Sequence, residues 1–154
     1  GMAIAFYDRI PHGLDDMPQV MVDDNNDSYF MAEHLIRLGR RRIAYLYGPD
    51  DVYNAVERER GYREAMEKFH VYDPQLVIRT GMTFADGAAA VDDLVHRGIE
   101  STIVYPKLTT VEPPLTEMGQ RAAELVLEKV HNPEAENRKI VLRTEMKCRA
   151  STGE

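Results

Sequence analysis

Apolar runs suited to strands alternate with apolar residues at helical spacing along most of the chain. The strand-like runs occupy residues 4–7, 19–22, 43–47, 76–78 and 140–146, and the helical patterns occupy residues 29–36, 62–69, 90–95 and 115–126. Strand and helix patterns that take turns are typical of a parallel sheet with helices on both of its faces. The sequence therefore predicts an α/β fold, and the wholly apolar run at residues 43–47 predicts a strand buried on both faces.

The alternation lapses at one place, between Glu100 and Ser101. A buried strand and another helix should follow the third helix, but only the short apolar run Ile103, Val104 and Tyr105 stands there. Removing a unit from a parallel sheet would expose apolar faces and leave backbone hydrogen bonds unpaired, so a true deletion should be poorly stable. We therefore predict a missing segment between residues 100 and 101. Either the protein truly lacks this segment or, as the stability argument favours, the segment exists and residues 100 and 101 are not neighbours in the molecule.

Composition narrows the function classes. The chain has 154 residues, 44% of them hydrophobic, which suffices for one domain with its own core. Its formal net charge is -7, whereas DNA-binding modules carry a basic face, so we expect no specific DNA contact from this segment.

Cys148 is the one cysteine, which excludes an internal disulfide. The sequence has neither an apolar run of the roughly 20 residues that span a bilayer nor a signal-peptide pattern at its start. We therefore expect no membrane association and a cytoplasmic location.

Signatures of catalysis and metal binding are missing from the sequence. It contains no Gly-rich phosphate loop, no paired-histidine zinc helix and no serine nucleophile elbow. The string Asp23-x-Asn25-x-Asp27 resembles the start of a calcium loop, but Ser28 and His34 stand where such a loop needs Gly and Glu. An acidic helix N-terminus that complements the helix dipole explains the string better. We therefore expect no enzyme activity, no metal and no cofactor.

One candidate ligand contact follows the Gly-Pro break after the strand at residues 43–47. Open parallel sheets bind ligands beyond the carboxyl ends of their strands. The guanidinium of Arg58, at the start of the next helix, could grip a sugar hydroxyl or a carboxylate with two parallel N–H bonds. Periodicity by itself favours the plainer interpretation, in which Arg58 and Arg60 are solvated helix charges paired with Glu57 and Glu64.

Three further residues stand at comparable places. Asp8 follows the first strand and is either a carboxylate that accepts sugar hydroxyls or a turn residue. Met82 and Phe84 lie between the strand at residues 76–78 and the third helix. Their side chains could stack on a ligand ring, or they could close the core.

Four sequence stretches resemble elements of the lactose-repressor (LacI/GalR) family of transcription regulators. They are HLIRLGRRRIAYLYGP at residues 34–49, RxxGYRxA at residues 58–65, LTTVxxPxxxMGxxA at residues 108–122, and FYDR at residues 6–9. Together they cover nearly the whole chain in the order that the family has. No single stretch is specific, but the combination is.

The resemblance implies a regulatory role. Members of the family join a helix-turn-helix DNA-binding unit to a two-lobed domain like the periplasmic sugar-binding proteins. A small effector, often a sugar and sometimes a nucleobase, binds in the cleft and changes operator affinity. Carried over by position, Arg58 matches the effector-contacting arginine, Asp8 matches an acidic cleft residue, and Asn54 lies near a polar contact. The stacking aromatic residue falls at Phe84 or Met82, with a spacing that differs by one.

Two departures from the family limit this prediction. The helix-turn-helix and the first lobe are missing, so residues 1–154 are predicted to be the C-terminal lobe alone, in an incomplete form. The segment missing after Glu100 would supply a strand, a helix and another strand, and both strand ends touch the effector in the family. The family also implies a homodimer, for which Ile103, Val104 and Tyr105 offer an apolar contact. The alternative is a periplasmic sugar-binding protein of a transport system.

Overall fold

The computed structural model describes residues 2–11, 13–98 and 109–152. The junction of residues 100 and 101 and the predicted dimer contact Ile103, Val104 and Tyr105 lie outside these ranges. The described strands are β1 (Phe6–Tyr7), β2 (Gln19–Val22), β3 (Tyr45–Tyr47), β4 (Val77–Arg79), β5 (Thr110–Glu112), β6 (Lys139–Leu142) and β7 (Glu145–Lys147). The helices are α1 (Asp24–Arg37), α2 (Tyr53–Lys68), α3 (Phe84–His96) and α4 (Leu115–His131), with 3₁₀ turns at Pro74–Leu76 and Ala150–Thr152.

The chain folds into two compact units. Unit 1 combines Gly1–Asp23 with Val111–Glu145, and unit 2 combines Asp24–Thr110 with Met146–Glu154. The sequence predicts a single lobe, and the division into two units, each with strands and helices of its own, was not anticipated by the sequence pattern.

Unit 1 is built on a parallel sheet with the strand order β1-β2-β6. The register places Val20 beside Tyr7 on one side and beside Ile140 on the other. Met118 and Leu125 of α4 pack on Val20 and Val22 of the central strand, and all four side chains are buried. Strand β2 has four buried residues because it lies between two neighbouring strands and beneath a helix.

Unit 2 is built around the parallel strand pair β3–β4 and the helices α1 and α2. Its core contains the buried side chains Ala32 and Ile36 of α1 and Tyr62, Ala65 and Met66 of α2. The two helices approach closely at Gly61, where a Cβ atom would lie 1.9 Å from the backbone oxygen of Asn25. Only glycine permits this approach, so the glycine of the RxxGYRxA stretch sets the distance between the two helices.

Most predicted elements are confirmed, and three differ in detail. Helix α2 begins at Tyr53, nine residues before its first predicted apolar position. The predicted strand at residues 140–146 is two strands, β6 and β7, separated by Arg143 and Thr144. The prediction that residues 43–47 are buried on both faces is wrong, because Leu46 is 39% exposed.

The described helices also bear on membrane association. None of the helices within the described ranges combines the length and the apolar character needed to cross a bilayer.

Candidate functional site

Polar and aromatic side chains gather at the carboxyl ends of β3 and β4 in unit 2. The two strands pair in parallel register, so that Tyr47 stands opposite Arg79 at the point where both strands end. The loops that leave these ends lead directly to the starts of α2 and α3. Loops at the carboxyl ends of parallel strands are where open α/β sheets hold ligands, so this edge of unit 2 is the candidate site.

Tyr47, Asp50 and Arg79 form one hydrogen-bonded group at this edge. The Tyr47 hydroxyl donates to Asp50 Oδ1 at 2.5 Å, and Arg79 Nη1 donates to Asp50 Oδ2 at 2.5 Å. The Arg79 guanidinium also lies 4.7 Å from the centre of the Tyr47 ring, within cation–π range. The Arg79 and Tyr47 donors lower the pKa of Asp50, and the bond to that carboxylate, together with burial, raises the pKa of Tyr47. Asp50 therefore balances the charge of Arg79 in an exposed pair, in which 67% of the Arg79 side chain and 66% of the Asp50 side chain are exposed.

Arg58 pairs with a buried carboxylate. Its Nε donates to Asp24 Oδ1 at 2.6 Å, and the Asp24 side chain is 3% exposed while that of Arg58 is 52% exposed. Asp24 is the first residue of α1, where the helix dipole favours a negative charge. The predicted pairing with Glu57 and Glu64 belongs to Arg60 instead. Arg58 therefore uses one edge of its guanidinium for Asp24, and its Nη groups form no hydrogen bond or ion pair with another described residue.

Asn54 and Met82 flank Arg58 and the Gly-Pro loop. Asn54 is buried and lies four residues before Arg58 on α2, so the two residues share one face of the helix. The Met82 Sδ atom lies 3.3 Å from the position that a Cβ atom on Gly48 would occupy, and Ala55 of α2 lies against the same point. Met82 therefore borders the loop that connects β3 to α2, although 59% of its surface stays exposed.

Phe84 stands at the start of α3 with 94% of its surface exposed. The sequence left open whether this ring closes the core, and its exposure rules that interpretation out. The residue before it is the N-cap Thr83, whose hydroxyl accepts from the backbone N–H of Asp86, while Asp86 accepts from the backbone N–H of Thr83. This capping box fixes the helix start and holds the Phe84 ring at the edge of unit 2.

We expect Thr83→Ala to destabilise α3 by about 1 kcal/mol, because loss of an N-cap side chain leaves a backbone donor without its acceptor. Hydrogen exchange of the α3 amides would measure the loss. Thr116→Ala is the matched control, since Thr116 lies inside the first turn of α4 and forms no side-chain hydrogen bond within the described ranges. Equal exchange behaviour in the two variants would contradict the role of the cap.

Asp8 belongs to a different unit from the other predicted site residues. Asp8 belongs to unit 1, directly after β1, with φ at 63° and its backbone N–H donating to the Val20 carbonyl. Aspartate is among the few residues that adopt this left-handed conformation without a large penalty. Its place at a strand end is as predicted, and Asn54, Arg58, Met82 and Phe84 all lie in unit 2.

Sequence reasoning missed the acidic partners that fix the two arginines. Asp24, Asp50 and Arg79 were not singled out from the sequence. Asp50 follows the Gly-Pro break directly and Arg79 follows the predicted strand at residues 76–78, so the rule that selected Arg58 applies equally to both of them. The described residues hold no cluster of three or more metal-ligating side chains.

A family model described as a periplasmic binding protein-like domain matches residues 32–102 and 97–152 of this chain. HTH-type transcriptional regulator CelR of Thermobifida fusca is 26% identical over 173 residues, covering 86% of this chain and 51% of that protein. HTH-type transcriptional regulator DegA of Bacillus subtilis is 28% identical over 176 residues, covering 88% of this chain and 52% of that protein. The chain thus spans about half the length of these curated relatives.

Solved structures agree on the fold. A complex of the transcriptional regulator CelR with cellobiose superposes with a TM-score of 0.80 at 25% identity, covering 96% of this chain and 58% of that one. The transcription regulator CcpA of Lactococcus lactis superposes with a TM-score of 0.84 at 22% identity, covering 97% of this chain and 69% of that one. The periplasmic-binding-protein-like α/β fold expected from the sequence is confirmed.

The same comparisons bear on the break in the sequence pattern. The two stretches matched by the family model meet at residues 97–102, around the predicted break. The alignment with CelR spans 173 residues although it covers only 86% of a 154-residue chain, so about 40 residues of CelR face no residue here. The missing segment between residues 100 and 101 stays a prediction.

Proposed function

Because this chain belongs to the family of periplasmic binding protein-like domains, we propose that it is the effector-sensing part of a bacterial transcription regulator of the lactose-repressor type. It binds a small molecule at the carboxyl ends of β3 and β4, and this binding changes the operator affinity of a helix-turn-helix that is not in the sequence. Regulators named among its relatives support this role over that of a periplasmic transport protein. The protein acts in the cytoplasm and is not an enzyme.

The observation that carries this proposal is the pair of arginines held by carboxylates at one edge of unit 2. Arg58 keeps its Nη groups available while Asp24 holds its Nε, and Asp50 holds Arg79 against the Tyr47 ring. Fixed guanidinium groups can donate to ligand hydroxyls without losing side-chain freedom on binding.

The charge balance at this edge favours a neutral effector. Each of the two arginines faces one carboxylate, at 2.6 Å in the Arg58–Asp24 pair and at 2.5 Å in the Arg79–Asp50 pair. A phosphorylated or carboxylated ligand would bring a further negative charge beside Asp24 and Asp50, whereas a sugar hydroxyl accepts from the remaining N–H groups without adding charge. The effector is therefore a neutral sugar, with a nucleobase-like molecule as the second candidate.

The other predicted residues take complementary roles. Phe84 and Met82 offer exposed apolar surface on which the C–H face of a sugar ring or a base can stack. Asn54 supplies an amide one helical turn from Arg58. Asp8, in unit 1, is proposed separately as a carboxylate that accepts hydrogen bonds from sugar hydroxyls.

The names of similar proteins agree with a sugar. One similar structure is a CelR–cellobiose complex, another is a LacI family regulator from Enterococcus faecium with bound ribose, and one relative is an arabinose metabolism repressor. We propose that residues 1–154 represent the C-terminal lobe of such a regulator, in an incomplete form. A homodimer forms through Ile103, Val104 and Tyr105.

Calorimetry on the full-length regulator tests the proposal. Cellobiose, ribose, arabinose, their phosphorylated forms and a panel of nucleobases are titrated into the protein, and operator affinity is then measured with each binder. We expect at least one neutral sugar to bind, to bind more tightly than its phosphorylated form, and to change operator affinity. Binding of a phosphorylated sugar alone would contradict the charge argument, and a binder without effect on operator affinity would contradict the regulatory role.

A further inference from the structure

A run of three arginines lies on the surface of unit 2, away from the candidate site. Arg40, Arg41 and Arg42 are exposed and follow one another between α1 and β3. Within residues 2–11, 13–98 and 109–152, none of the three side chains forms a hydrogen bond or an ion pair. We call these three residues the arginine patch.

The arginine patch differs from the rest of unit 2. The other arginines with recorded ion pairs in this unit each face an aspartate or glutamate within 4 Å, and they are Arg37, Arg58, Arg60, Arg63, Arg79 and Arg97. Three adjacent like charges repel one another, and this chain, with a formal net charge of -7, has ample acidic residues to offset them. No carboxylate of a described residue lies within 4 Å of these three guanidinium groups, so the patch is a cluster of unpaired positive charges on an acidic protein.

The backbone holds the patch in place at both ends. Gly39 adopts φ +85°, its N–H donates to the Ile36 carbonyl, and the Arg40 N–H donates to the Leu35 carbonyl. This pair of bonds is a Schellman cap, which ends α1 and fixes the direction of the chain beyond it. Strand β3 begins at Tyr45, only three residues after the patch. The three arginines therefore project from a short, anchored segment.

The patch and the candidate site lie at opposite ends of the same strand. Arg42 precedes the amino end of β3, whereas Tyr47 and the Gly-Pro loop follow its carboxyl end. A strand of this length separates its ends by about 10 Å. An effector at the carboxyl end therefore leaves the patch uncovered, and the patch can serve a separate partner.

We propose that the arginine patch is a docking surface for an acidic segment of a partner protein. A guanidinium presents a fork of donors that matches a carboxylate, and adjacent guanidiniums can engage successive carboxylates along an extended chain. Nucleic acid fits less well, because a duplex presents phosphates over a wide area and needs a broad basic face. Here the patch is three residues wide on a chain of net charge -7.

Fluorescence anisotropy with a labelled oligoglutamate peptide tests the proposal on the full chain. The triple variant Arg40→Gln, Arg41→Gln, Arg42→Gln is compared with the triple control Arg9→Gln, Lys139→Gln, Arg143→Gln. The control residues are also exposed cations without a recorded side-chain partner among the described residues, and they are dispersed along unit 1. Both variants remove three positive charges, so a difference in their peptide affinity must come from where those charges lie on the protein.

We expect the peptide to bind the unchanged protein and to lose about tenfold or more in affinity with the patch variant. The peptide affinity of the control variant should fall less than about threefold, because removing these charges weakens only the long-range attraction between protein and peptide. Equal losses in both triples, or an absence of peptide binding, would overturn the proposal. A DNA duplex that binds more tightly than the peptide, and only when the patch is present, would assign the patch to nucleic acid and overturn it as well.

Discussion

Replacing Gly61 by alanine is expected to destabilise unit 2 by about 3 kcal/mol, at the upper end of the usual cost of overpacking. The added Cβ would lie 1.9 Å from the Asn25 oxygen, 2.8 Å from the Asn25 carbonyl carbon and 3.0 Å from the Tyr29 nitrogen. All three atoms belong to the backbone of α1, so no side-chain rotation relieves the overlap. The two helices must move apart, and Arg58 on α2 then loses its contact with Asp24 at the start of α1.

Chemical denaturation would measure the effect, and Gly87→Ala is the matched control. Gly87 lies inside α3, where an added Cβ meets nothing within 4 Å. Alanine there should stabilise the protein by about 0.4–1 kcal/mol, because it reduces the freedom of the unfolded chain. If Gly61→Ala behaves like Gly87→Ala, the close approach of α1 and α2 is not a feature of the protein in solution.

The sequence pattern was sufficient for elements whose apolar positions repeat clearly. Helix α1 runs from its acidic start to its glycine stop as predicted, and β2 has its predicted bounds at Gln19–Val22. The sequence places Arg58 at the start of α2, so the five residues before it, 53–57, were missed. They read Tyr-Asn-Ala-Val-Glu and are too few to show a helical period. Strand β5 was missed because three residues are too few to show a period.

Pairing between distant parts of the chain could not be predicted, since periodicity is a local property. Residues 1–23 and 111–145 form one unit because Gln19 of β2 pairs in parallel with Lys139 of β6 across more than a hundred residues. The exposed Leu46 shows that burial, like strand pairing, depends on distant parts of the chain and cannot be predicted from a local pattern. An apolar strand is covered on both faces only when the rest of the sheet and its helices are present.

At the candidate site, contacts between residues far apart in the sequence also could not be predicted from local patterns. Position after a strand end was enough to select Arg58, and the resemblance to a known family supported that choice. The partner of Arg58 is Asp24, 34 residues earlier in the chain, and no local pattern links the two. This partner changes what we expect of the Arg58→Ala variant, because a solvated helix charge could be removed at little cost in stability, whereas the partner of a buried carboxylate cannot.

Arg58→Ala is now expected to weaken both the fold and effector binding. The Asp24 side chain is 3% exposed, so removing the guanidinium takes the paired positive charge away from a buried carboxylate at the N-terminus of α1. Breaking a fully buried pair costs about 3–5 kcal/mol, but Arg58 is 52% exposed and partly screened by solvent. We therefore expect a loss of about 2 kcal/mol in the free energy of unfolding, measured by chemical denaturation. Effector affinity should fall by a further 1.5–3 kcal/mol or so in calorimetry, the range of a hydrogen bond to a charged group.

Two companion variants separate these effects. Arg58→Lys keeps a positive charge beside Asp24 but removes the fork of N–H groups, so stability should hold while effector affinity falls about tenfold. Arg60→Ala is the matched control, because Arg60 is 57% exposed and pairs with Glu57 and Glu64 on its own helix. Its loss should cost less than about 1 kcal/mol and leave effector binding unchanged. If Arg58→Ala and Arg60→Ala prove equal in both measurements, Arg58 is a solvated helix charge and the effector site lies elsewhere.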